Sequence, residues 1–247
     1  MIEVKKVSKR YLFSKSSALE GLSFKIDRFD NCALVGNNGC GKTTIIKILC
    51  NLIGYDSGDI FIKSNRLTTN FVSYKKDWGI VLSKPYFIEE FGVLEYLGFV
   101  AKFQKVENQI IKSRIDDLIQ LLSLEDHQNK RIKDLSSGNQ MKVTLASILI
   151  HNPEFLILDE PFVNLDISTT ERFMAILKSF RGKKTTMITS HNLEIITELS
   201  DRIYIMDKGR IVSELENKSF GQSEELKKRI KDQLKQEDKI INADWLI

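Results

Sequence analysis

Apolar residues fall into two kinds of pattern along this chain, and the contrast between them predicts its architecture. Four short runs are almost uninterrupted: Ala33–Val35, Phe155–Leu158, Thr186–Thr189 and Ile203–Met206. Continuity rather than alternation is what a parallel strand requires when helices cover both faces of its sheet. Near the start, Val4 and Val7, then Leu22, Phe24 and Ile26, are interleaved with polar residues. That spacing predicts antiparallel strands with one exposed face. Elsewhere the period is helical. Met141, Leu145, Ile148 and Leu149 share one face of a helix over 141–150, which Asn152 and Pro153 stop. Strands alternating with helices predict an α/β core.

Between about 85 and 138 the strand signals vanish. Val93, Leu97, Val100 and Ala101 make one amphipathic helix; Ile111, Ile115, Leu118 and Leu122 make another. The stretch reads as an all-helical insertion. The end of the chain, 214–247, is strongly charged, with only Leu226, Ile230 and Leu234 in a narrow apolar stripe. It is expected to be a loosely docked surface helix. Residues 1–215 then form one domain, and 216–247 a charged helical tail.

Composition narrows the classes. With 42% hydrophobic residues in 247, there is ample material for a core and disorder is excluded. A net charge of +4 is too modest to argue for a nucleic-acid partner, and none is expected. No run approaches the roughly 18 apolar residues that span a bilayer, and the Met1–Lys6 segment lacks a signal peptide's apolar centre. The expectation is a cytosolic chain that reaches a membrane only through a partner. Cys32, Cys40 and Cys50 have no metal-ligand spacing and are read as reduced thiols.

The strongest local signal is Gly36, Asn37, Asn38, Gly39, Cys40, Gly41, Lys42 and Thr43, a G-x-x-x-x-G-K-T loop between an apolar run and a helix starting near Thr43. A glycine-rich turn that leaves a strand and opens a helix aims several backbone N–H groups at one polyphosphate. Lys42 can reach its β and γ groups, and the Thr43 hydroxyl can ligate Mg²⁺. Cys40 lies inside this loop, so its alkylation is expected to block nucleotide binding. The strand Phe155–Leu158 ends in Asp159 and Glu160, where packing gives no reason for acid. Asp159 is placed to hold Mg²⁺ and Glu160 to deprotonate a water that attacks the γ-phosphate; an acidic helix cap is the alternative. His191 follows the next apolar strand. Active residues of parallel sheets gather at such carboxyl ends, although a lone histidine is commonly a cap or surface residue. The turn Leu135–Gln140 reads by itself as an N-cap whose free N–H groups can bind an anion.

Taken together and in this order, the four motifs resemble the ATP-binding cassette of ABC transporters, over about residues 1–215. The resemblance implies a P-loop NTPase core of α/β class: a mainly parallel sheet, an N-terminal antiparallel β subdomain and an inserted α-helical subdomain. It implies ATP and Mg²⁺ as ligands. Gly36–Thr43, with Thr44, corresponds to the Walker A loop and Phe155–Glu160 to Walker B. Ser136, Ser137, Gly138 and Asn139 take the place of the family's signature, Asp166 that of the D-loop aspartate, and His191 that of the switch histidine. Tyr11 falls where the family stacks an aromatic ring on adenine; plain sheet packing is the other reading. A second cassette is implied, each ATP lying between one subunit's Walker A loop and the other's signature. A membrane permease is implied against the helical insertion, linked to the nucleotide through Ser83–Phe87. The compact cassette is similar to those of bacterial exporters.

The sequence departs from the family where it matters for turnover. Ser83 stands where the Q-loop has glutamine, Ser137 where the signature has its first glycine, and Asn139 where it has glutamine. All the same, Lys42, Thr43, Asp159, Glu160 and His191 are intact. The pattern implies slow turnover, or pairing with a non-identical cassette. A soluble cassette ATPase of a nucleic-acid or assembly machine, and a nucleotide-gated module that hardly hydrolyses, are the competing classes.

Overall fold

The structure, a computed structural model, describes residues 1–84, 86–217 and 224–234. The first half of the chain forms β1 (Ile2–Lys9), β2 (Leu19–Ile26), β3 (Asn31–Gly36), α1 (Lys42–Leu49), β4 (Ser57–Ile62), β5 (Asn65–Arg66), β6 (Trp78–Val81), α2 (Val93–Phe103) and α3 (Asn108–Leu121). The second half forms α4 (Ser137–Leu149), β7 (Phe155–Asp159), α5 (Ile167–Ser179), β8 (Thr185–Thr189), α6 (Leu193–Leu199), β9 (Arg202–Asp207), β10 (Arg210–Glu216) and α7 (Glu224–Leu234).

These strands build two sheets. The larger has the order β10-β9-β3-β8-β7-β6 and is parallel except for β10, which pairs antiparallel with β9. Successive residues of its strands enter two different cores. Ala33, Val35, Leu156, Leu158, Ile203 and Ile205 face the helices α2 to α7. Cys32, Leu34, Phe155, Ile157, Tyr204 and Met206 face α1 and the smaller sheet. Burial of both faces is why these strands read as continuous apolar runs.

The smaller sheet, β2-β1-β4-β5, is antiparallel throughout. Val4 pairs with Phe24 and Val7 with Leu22, and the register shifts between them. Lys6, with φ 48, is the left-handed residue of this bulge. The bulge explains why the buried valines are three apart instead of two.

Three expectations are corrected. The helix expected over 141–150 starts at Ser137, one turn earlier, because Ser136 caps it: its Oγ accepts from the Asn139 amide at 3.3 Å. The charged end of the chain is not loosely docked where it is described. Ile230 is fully buried and Leu226 nearly so, both within the main helical core. Burying two aliphatic side chains stabilises such a helix by roughly 3–6 kcal/mol before entropy is counted. Residues 214–216, expected within the tail, instead complete β10. The parts of the tail at 218–223 and 235–247, and Pro85 in the Ser83–Phe87 segment, lie outside the described residues. Among the described residues no helix is long and apolar enough to cross a membrane.

Candidate nucleotide site

Three neighbouring strands, β3, β8 and β7, end at one edge of the larger sheet, and the loops that follow them converge there. The first loop leaves β3 and opens α1. Gly41 precedes that helix at φ 113, and a Cβ on it would lie 2.5 Å from the Ala18 carbonyl and 2.9 Å from a Leu19 methyl. Only glycine fits both the angle and the space. Lys42 is buried to 9% exposure, and its Nζ donates to the carbonyls of Gly36 at 2.6 Å and Asn37 at 3.3 Å.

β7 delivers two carboxylates. Asp159 is 2% exposed; its Oδ1 accepts from Thr189 Oγ1 at 2.7 Å and its Oδ2 from Thr43 Oγ1 at 3.3 Å. Thr189 lies opposite Asp159 in the β7–β8 ladder, so the register itself makes this contact. Glu160 comes next, at φ 54. A left-handed backbone at a non-glycine residue costs of order 1–3 kcal/mol, and such strain clusters at functional sites. The Glu160 amide is held by the Thr189 hydroxyl at 3.0 Å.

The histidine loop closes the group. His191 Nε2 is 3.3 Å from Glu160 Oε1, and its amide donates to Oε2 at 3.4 Å. Among the described residues, Oε1 is nevertheless buried without a well-directed hydrogen bond. Burial raises the Glu160 pKa above the ordinary carboxylate value, and His191 opposes part of that rise. A buried carboxylate with a raised pKa and a free lone pair has the makings of a general base.

These groups share a cleft of about 310 Å³ lined by Ala18, Asn38, Gly39, Gly41, Lys42, Thr43, Thr44, Ser83, Asp159, Glu160 and His191. Not every expected residue lies there. Gly36 and Cys40 are buried behind the loop, and Asn37 turns its side chain to the end of α7, 3.3 Å from the Leu234 carbonyl. Cys40 is 4% exposed, so its thiol is packed behind the loop rather than in the cleft. Tyr11 is 42% exposed and its hydroxyl lies 3.3 Å from Thr44 Oγ1. Ser83 does reach the cleft.

Ser136, Ser137, Gly138 and Asn139 lie apart from the cleft, around the N-terminus of α4. They sit against the segment carrying Asp166: a Cβ on Gly138 would fall 2.4 Å from the Asn164 carbonyl. Asp166 caps α5 through the Thr169 amide and hydroxyl, both at 2.8 Å. It also pairs with Lys142 at 2.8 Å, which holds its carboxyl well below the usual range. Sequence reasoning missed Thr189 and Lys142. A threonine in an apolar strand reads as β-branched packing, and a long-range ion pair leaves no local signal.

The donors suit a hydrated divalent cation rather than a protein cage. Among the described residues no three His, Cys, Asp or Glu side chains gather to hold a metal. Thr43 Oγ1 and Asp159 Oδ2, 3.3 Å apart, are two oxygens at adjacent positions, the modest protein share typical of Mg²⁺ that also binds phosphate.

A family model described as "ABC transporter" matches residues 19–163. The molybdate/tungstate import ATP-binding protein WtpC of Pyrococcus abyssi is 29% identical over 214 residues, covering 86% of this chain and 61% of the relative. The spermidine/putrescine import ATP-binding protein PotA of Clostridioides difficile is 28% identical over 213 residues, 85% of this chain and 60% of the relative. The chain therefore spans about 60% of the length of these curated relatives. A solved ATP-binding subunit of an ABC transporter superposes with a TM-score of 0.80 at 26% identity, covering 87% of this chain and 90% of that one. The dimeric cassette MJ0796 in a post-hydrolysis state with ADP and Pi gives a TM-score of 0.80 at 24% identity, covering 89% and 100%.

Proposed function

This chain belongs to the ABC transporter family, with the P-loop fold of its ATPase cassettes, and on that premise we propose that it binds and hydrolyses ATP to drive a separate membrane permease. The observation that carries the reading is the convergence of Lys42, Thr43, Asp159, Glu160 and His191 on one cleft. The loop amides and Lys42 receive the polyphosphate. Thr43 and Asp159 would hold Mg²⁺, which would supply positive charge to the phosphates when bound. Glu160 accepts the proton of the attacking water, and His191 fixes that water in line with the γ-phosphate. Glu160→Gln is expected to abolish phosphate release while ATP binding survives and an ATP-bound dimer accumulates. Retained turnover in that variant would sink the assignment.

Two cassettes are proposed to pair head to tail, Ser136 and the Gly138 amide of one acting on the ATP of the other. The face around α2 and α3 receives the permease, and the chain lies at the inner face of the membrane through that contact. Tyr11 is assigned to the adenine. Export is the direction suggested by resemblance to compact exporter cassettes; the import proteins among the relatives support the opposite direction. Uptake and extrusion assays in vesicles with the cognate permease decide between them. A weakly hydrolysing, nucleotide-gated role is the second reading, favoured by Ser83 in the cleft where a longer amide would reach the water. An ATP-bound dimer that persists in the unaltered chain would favour it.

A further inference from the structure

The C-terminal helix α7 lies outside the residues matched by the family model, yet it touches the Gly36–Thr43 loop at Asn37 and the helix α6 that follows His191. Its apolar anchors, Leu226 and Ile230, are buried with Ile195, Ile196 and Leu199 of α6 and with Ile203 and Ile205 of β9. Its first half reaches α6: Lys227 Nζ is 3.6 Å from Glu194 Oε1 and 3.0 Å from Glu224 Oε1. Glu194 stands in the first turn of α6, whose cap Asn192 directly follows His191. Its last residue reaches the phosphate loop, where the Leu234 carbonyl accepts from Asn37 Nδ2. Asn37 is itself an organising residue. Its own carbonyl accepts from the Cys40 amide at 3.2 Å and from Lys42 Nζ at 3.3 Å.

We infer that α7 is a positioning brace for the nucleotide site, tying the phosphate loop to the helix that follows His191 so that docking of α7 sets the affinity for ATP. The inference rests on the ATPase reading above. A loop held in its binding shape loses less conformational freedom when the ligand arrives, so a brace outside the cleft raises affinity without touching ligand. The Leu234–Asn37 contact is one net hydrogen bond, and its loss corresponds to about a 3-fold to 10-fold change in Kd. Asn37 is absent from the cleft lining, which fits support from behind and not obstruction.

The test uses the full chain. Ile230→Asp puts a charge into the apolar seat of α7 and undocks it. Calorimetric titration with ATP is expected to give a Kd about 3-fold to 10-fold higher, with faster amide hydrogen exchange at both residues 37–41 and 191–196. A purely structural anchor would speed exchange in α7 and leave those two loops and the Kd unchanged, and that result overturns the brace. Lys227→Glu keeps the apolar anchors and reverses the Glu194 arm, losing besides it only the exposed pair with Glu224 inside α7, so it remains informative if Ile230→Asp folds poorly. Faster exchange at 191–196 with a raised Kd supports the brace; no change at either overturns it. Failure of the unaltered chain to bind ATP overturns the ATPase reading and the brace with it.

Discussion

At the scale of single residues, the site turns on how β7 and β8 share Asp159, Glu160 and Thr189. Glu160 has its pKa raised by burial, so its proton is lost only above the pH where an exposed glutamate ionises. A general base works deprotonated. The acid limb of the kcat/KM profile is therefore expected to lie above the ordinary glutamate range, and a limb at or below that range would remove Glu160 from the role. The same shift bears on stability with the opposite sense to a salt-bridged carboxylate. Because the folded state holds the proton more tightly, the contribution of Glu160 is fully present below the unfolded pKa and is lost as pH rises through the folded value. Thr189 makes a second prediction. Its hydroxyl joins Asp159 Oδ1 to the Glu160 amide, and Thr189→Val keeps the β-branched shape while removing both contacts. The buried Asp159 oxygen is left unsatisfied, a cost of about 1–3 kcal/mol. Urea unfolding should show that loss and phosphate release should fall with it. A variant as stable and active as the parent would show the hydroxyl to be idle. The phosphate loop and the acidic strand tip were legible because each is encoded by adjacent residues. Thr189 was not, since its role depends on ladder register, which no single strand specifies.

At the scale of elements, the sheet's own strands were legible and the chain's outer elements were not. Buried parallel strands carry continuous apolar runs, and Ala33–Val35, Phe155–Leu158, Thr186–Thr189 and Ile203–Met206 all lie within strands. β10 escaped notice because it pairs with the sheet along one side only and exposes Arg210, Val212, Glu214 and Glu216. α7 reads as a weak helix because just one stripe is apolar, yet tertiary packing fixes it. Helix α5 depends on an interaction that neither helix pattern reveals. Asp166 caps α5 and neutralises Lys142 of α4, whose side chain is 9% exposed. Asp166→Ala removes the cap and leaves a nearly buried cation unpaired. A cap alone is worth about 0.5–2 kcal/mol, and the loss is expected to exceed the middle of that span. Asp166→Asn restores the cap without the charge, so the difference between the two in denaturant unfolding isolates the ion pair. Equal stability of Ala, Asn and parent chains would refute both contributions. Since Gly138 already touches the Asn164 carbonyl, the α4 start and the Asp166 segment form one joined surface.

At the scale of the whole molecule, the departures from the family pattern divide by location. The cleft keeps its lysine, both carboxylates and its histidine and carries one departure, Ser83, whereas Ser137 and Asn139 stand at the N-terminus of α4, outside the cleft. Ser137 is exposed at the first position of the helix, free to face another molecule. In the proposed head-to-tail pair, that position would approach the partner's nucleotide, and the Ser137 side chain would occupy space that a glycine leaves open. Two consequences separate this account from an intrinsically slow cleft. Specific activity of the unaltered chain should rise with protein concentration, because on the proposed pairing a single chain holds only half of each working site. Ser137→Gly should then raise steady-state phosphate release at saturating ATP, while the ATP affinity of the isolated chain stays as it was. The cost to helix α4 is small, since a glycine near a helix start is tolerated better than one in its interior. If turnover is independent of chain concentration and Ser137→Gly changes nothing, the limitation lies within the cleft, where Ser83 becomes the residue to exchange. If Ser137→Gly helps only when mixed with a second, different cassette, the working assembly pairs non-identical chains.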